Sequence, residues 1–120
     1  MTVKVLLSFL FALALHITLG WAWTLLAGVL AGAWVVRRGW IAGAVSVGLD
    51  WLVLVVYNFA VAGREVASMV EILGGILGNL PGAVIVATTL LIGVLLGGLG
   101  GIIGSHVVLA FKTSRIRASV

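Results

Sequence analysis

Asp50 is the residue whose chemistry is hardest to place in this chain. It is the only charge between Gly39 and Ala62, a run rich in Val, Leu and Ala. A carboxylate deep in such a segment costs at least ~2.5 kcal/mol in a bilayer, so it must pair, face protein or water, or hold a proton. At 100° per residue, Gly39, Gly43, Ser46 and Tyr57 fall within about 40° of Asp50 on a helix. This small and polar stripe turns Asp50 toward other helices. One reading is an ion or proton site with Ser46 and Tyr57 along its path. The other is a structural acid, held by Ser, Tyr, His or a backbone donor, that ties helices together.

His16 and His106 add the remaining titratable groups of interest. With Asp50 they form a conceivable vertical relay, His106 to Asp50 to His16, of the kind that carries protons in pumps. His106 falls opposite the glycine face of its own segment, which favours a side chain that snorkels to the interface. Different depths for the two histidines argue against paired axial ligands of one haem. Two His and one Asp without clustering argue against a metal site. No cofactor is expected. Trp51, beside Asp50, either lines a pocket or packs. Glu65 and Glu71 lack a His or Ser at telling spacing, and no GK[ST] follows the glycines of 97–104, so neither catalysis nor a phosphate loop is expected.

The elements that carry these residues follow from composition. Of 120 residues, 63% are hydrophobic and 8% charged, against about a quarter charged in a soluble domain. Such a chain cannot cover a water-facing surface, and it reads as a single all-α integral membrane domain over residues 1–120. Cysteine is absent, which excludes disulfides and thiol chemistry. The net charge of +4 is carried by cations at the ends of apolar runs. These are orientation signals, and nucleic acid is not expected as a partner.

Residues 5–36 contain no Lys, Arg, Asp or Glu. As one helix they would reach ~48 Å, against a ~30 Å hydrocarbon core. Two short spans turning at Thr18-Leu19-Gly20 fit better, with Trp21 and Trp23 at the interface. The alternative is three spans with one long first helix. Lys4 followed by an apolar run and Ala12-Leu13-Ala14 also has the form of a signal peptide, and is read here as a membrane segment. The expected spans cover about 3–18, 21–36, 40–62 and 83–111, with Gly63-Arg64-Glu65 closing the third. Residues 66–79 are expected as an interfacial or re-entrant helix before Pro81.

With four spans and both termini cytoplasmic, Lys4, Arg37, Arg38, Lys112, Arg115 and Arg117 lie inside and Arg64 outside. The three-span alternative moves Lys4 outside. Either arrangement satisfies the positive-inside rule, the first more strongly. The inner membrane is the expected location. Arg37, Arg38, Lys112, Arg115 and Arg117 serve as topology anchors or hold anionic lipid heads at about 1 kcal/mol each.

The phrase TLLAGVLAG at 24–32 returns as TLLIGVLLG at 89–97. Both copies carry glycines four apart, Gly28 and Gly32 in one, Gly93 and Gly97 in the other. Gly100, Gly101 and Gly104 extend the second stripe, and Gly39 and Gly43 repeat the spacing. Small residues allow the close backbone approach on which helix association in lipid depends. The phrase records either an internal duplication or convergence in a Gly/Leu/Val-rich chain. The expected function is a helix-packing subunit or a self-associating component of a membrane complex, without catalysis. The alternative is a homo-oligomeric channel or proton-coupled transporter working through Asp50.

Overall fold

A computed structural model describes residues 2–118. Its helices are α1 (Thr2–Leu19), α2 (Thr24–Trp34), α3 (Gly39–Ile76) and α4 (Gly82–Ala118), with 3-10 turns at Trp21–Trp23 and Val36–Arg38. Three segments, Thr2–Leu19, Val36–Ile76 and Gly82–Arg117, are long and apolar enough to cross a membrane; Trp21–Trp34 is apolar but shorter.

The breaks have local causes. Helix α1 stops before Gly20, whose φ of 95° lies where a side chain would be strained and glycine is not. Helix α3 ends before Gly78 (φ 95°) and Asn79 (φ 61°), and Pro81 then opens α4. Between these points Ala62 has non-helical angles (φ −135°, ψ 46°), at the position where the sequence reading ends the third span. Gly63-Arg64-Glu65 is helical and opens the second arm of α3, which runs to Ile76; the helix expected over 66–79 thus starts three residues earlier and stops before the turn at Gly78 and Asn79. The kink lies 23 residues beyond Gly39, about 35 Å at 1.5 Å per residue. Helix α4 likewise runs past Phe111 to Ala118, because its basic tail is built of residues a helix tolerates.

Helix α4 forms the spine. Gly28 lies against Gly97 and Gly32 against Gly101; the numbers rise together, so α2 runs parallel to α4. Gly39 lies against Gly101 and Gly43 against Gly97, so α3 runs antiparallel to α4. Added Cβ atoms would stand 2.8 Å from the Gly97 oxygen at Gly28 and 2.7 Å from the Gly101 oxygen at Gly39. Gly100 and Gly104 meet the α2 backbone at Leu25 and Val29, and Gly93 receives the Trp51 ring.

The interior holds Ala12, Ala27, Ala31, Ala42 and Val47, whereas Leu30, Trp34, Trp40 and Leu95 are exposed. Small residues inside and large apolar ones outside invert the usual pattern of a protein in water. Helix α1 lies across α2 and α3, with Ser8 and Ala12 buried. Past Ser105, α4 leaves the bundle, and of residues 106–117 all but Val108 are exposed.

Candidate functional site

The sequence places Asp50 eleven residues into α3, on the face that carries Gly39, Gly43 and Ser46. All four are buried. The glycines bring α4 to backbone contact on one side of that face, and α1 covers the other. Three polar contacts fix α1 there. Lys4 Nζ donates to the Trp34 carbonyl (3.1 Å), and Ser46 Oγ donates to the Val5 carbonyl (3.3 Å). Near the far end of α1, His16 Nδ1 lies 3.0 Å from Asp50 Oδ2.

The His16–Asp50 pair is the only ion-pair geometry among the described residues. Asp50 is 0% exposed and the His16 side chain 19% exposed, so solvent or lipid meets the pair through the imidazole alone. With Nδ1–H donating to the carboxylate, Nε2 is the ring nitrogen that does not face Asp50. The indole of Trp51 tilts against the imidazole, ring centroids 5.6 Å apart at 59°. Asp50 Oδ1 and Trp51 Nε1 are buried with no hydrogen-bond partner among the described residues. In a medium of low dielectric an unmet polar atom of this kind is costly.

His16 opens onto a cleft of about 270 Å³ whose lining includes Trp21, Trp51, Asn58 and Thr89. Asn58 and Thr89 were not legible as site residues. Asn58 follows Tyr57 and Thr89 follows Thr88 in otherwise apolar runs, and each bonds a carbonyl of its own helix, Leu54 and Ile85 respectively.

The other candidates disperse. Tyr57 is 60% exposed. It shares the helical face of Asp50, but α1 ends at Leu19, three residues past His16, and leaves that higher part of the face uncovered. His106 is exposed and its Nδ1–H donates to the Ile102 carbonyl (2.8 Å), so it satisfies itself on α4. The three-membered relay thus reduces to a two-membered pair. No third His, Asp or Glu joins it into a possible metal-binding group among the described residues.

The cations sort by end. Lys4 reaches Trp34, and Arg37 and Arg38 follow in the turn before α3. Lys112, Arg115 and Arg117 lie farther out on α4, past the level of Gly39 and Gly101, while Arg64 sits beyond the kink at the opposite end. Comparison with family models, curated proteins and solved structures finds no match.

Proposed function

We propose that this chain is an integral membrane protein that works as a helix-packing, self-associating subunit and performs no catalysis of its own. The packing part rests on the filling of the bundle axis by backbone within one chain, and the self-associating part on the large apolar side chains left outside it. Gly28, Gly32, Gly39, Gly43, Gly97 and Gly101 bring α2, α3 and α4 together at distances that exclude even a methyl group. Helices held this way need no bulky interior, and the large side chains are turned outward to lipid or to neighbouring subunits. The short α2 is the second of four crossings in this reading, both termini are cytoplasmic, and the inner membrane is the location. The gathering of Lys4, Arg37, Arg38, Lys112, Arg115 and Arg117 toward one end supports that orientation. The test is energy transfer between donor- and acceptor-labelled chains in liposomes at high lipid-to-protein ratio. Transfer above random proximity is expected. Its absence, with a monomeric mass in mild detergent, removes self-association.

A second reading has its own observation, the buried His16–Asp50 pair beside a cleft. In it, oligomers conduct or couple protons, with Asp50 as the ion-handling carboxylate and His16 passing protons to the cleft. Proteoliposomes would then show a proton flux that Asp50→Asn abolishes. Equal flux in the variant ends that assignment.

A further inference from the structure

We infer that the groove between α1 and α2 is a binding site for an anionic phospholipid. The groove, about 530 Å³, is walled by Leu7, Phe11, Leu30, Ala33 and Trp34, with Ser8 among its lining residues. Ser8 is 3% exposed, and its Oγ has no hydrogen-bond partner among the described residues. A buried hydroxyl left unmet beside an apolar groove marks a place for an acceptor from outside the chain.

The end of the groove at Trp34 is cationic. Lys4 Nζ spends one donor on the Trp34 carbonyl and keeps two. Arg37 and Arg38 follow three and four residues after Trp34 and are exposed. Among the described residues no carboxylate pairs with this group. Of the three acids in the chain, Asp50 is engaged by His16, and Glu65 and Glu71 lie beyond the kink of α3.

The order of groups along the groove matches one class of ligand. Lys4, Arg37 and Arg38 meet a phosphate. Ser8, one helical turn deeper than Lys4 (about 6 Å), donates to an ester carbonyl. Leu7, Phe11 and Leu30 lie along an acyl chain. A zwitterionic head would bring its own cation to a site already carrying three, which selects against it.

This site rests on the chain lying in a bilayer, and the two ideas fail separately. The full chain is purified in mild detergent, stripped of lipid, and titrated in native mass spectrometry. The probes are phosphatidylglycerol and phosphatidylcholine with the same acyl chains. Phosphatidylglycerol should bind at one saturable site and phosphatidylcholine at least tenfold more weakly. Lys4→Gln and Arg37→Gln should each weaken the anionic lipid about fivefold. Ala33→Leu, which fills the groove, should abolish saturable binding, with helicity checked by circular dichroism. The Arg64→Gln variant removes a charge beyond the kink of α3, at the opposite end, and should leave binding unchanged.

Equal loss in that control would show diffuse attraction and overturn the site, as would equal binding of the two lipids. Full competition by soluble glycerol phosphate would show a phosphate site without an acyl groove. Should Ala33→Leu break a dimer yet keep the lipid, the groove seats a second copy instead. Recovery of the expressed chain in the soluble fraction would sink the membrane reading itself.

Discussion

His16 on α1 and Asp50 on α3 meet at 3.0 Å across 34 positions of sequence. The contact is the only side-chain-to-side-chain hydrogen bond joining α1 to α3 among the described residues. It places an imidazole between a buried carboxylate and a cleft. The pair holds a short helix against the bundle, and in the transport reading it is the group that would exchange protons.

Breaking the pair from one side should cost more than removing it altogether. His16→Leu leaves Asp50 buried without its donor, and Asp50→Leu leaves His16 without its acceptor. Each is expected to lower stability by about 2–4 kcal/mol. The double variant should cost less than either single variant, so that the coupling exceeds the smaller of the two single losses. Unfolding in mixed detergent–SDS micelles gives the four values of the cycle. Strict additivity would show that the two side chains do not interact.

The glycines divide into contact positions and open ones. Gly101→Ala forces a Cβ against the Gly39 backbone, and Gly43→Ala forces one against Gly97. Each should destabilise by about 1–3 kcal/mol, since overpacking moves backbone as well as side chains. At Gly63 and Gly75 nothing lies within 4 Å of an added Cβ. Alanine there should be neutral or stabilise by up to about 1 kcal/mol. A reversed ranking in thermal melts would reject this arrangement of α2, α3 and α4.

Residues grouped by sequence around Asp50 should part company on substitution. Tyr57→Phe and His106→Ala alter exposed side chains and should change stability by less than about 0.5 kcal/mol. Ser46→Ala deletes a buried donor to the Val5 carbonyl and should cost about 1 kcal/mol. Loss of folding in Tyr57→Phe would place that ring inside the bundle.

Topology can be read by single-cysteine labelling, since the native chain has none. An impermeant thiol reagent outside the cell should modify a cysteine at Ser68 and spare cysteines at Arg38 and Ser114. Gly39 is unsuitable as an inner marker, because its Cβ would strike the Gly101 oxygen and Ser105. A cysteine at Gly20 should be labelled or lie at the interface. Outside labelling of Ser114 would invert the proposed orientation.

The sequence alone determined the features that depend on composition and on near neighbours in the chain. An excess of apolar residues over charges, with glycine and a single proline as punctuation, specifies long apolar helices interrupted near Gly20 and before Pro81. These are local properties: the left-handed φ at Gly20 and the missing donor at Pro81 act within one turn. Asp50 stood out because a lone charge in an apolar run is anomalous wherever the helix packs.

The partner of Asp50 was decided only in three dimensions. Helical periodicity says which way a side chain points and not what stands opposite it. Tyr57 and Ser46 share a face, yet α1 covers Ser46 and stops at Leu19 before it can cover Tyr57. His106 already reads from periodicity as lying opposite the glycine face of its own helix; that His16 meets Asp50 depends on how α1 lies against α3. The break at Ala62 falls where the sequence reading ends the third span. The fold decides that Gly63-Arg64-Glu65 is helical, and the second arm packs Val70 against Gly82 at the start of α4 and Gly74 against the Leu80 carbonyl just before it. Which glycines meet across α2, α3 and α4 is likewise a matter of register. Register depends on the length and tilt of whole helices, quantities that no short window of sequence contains.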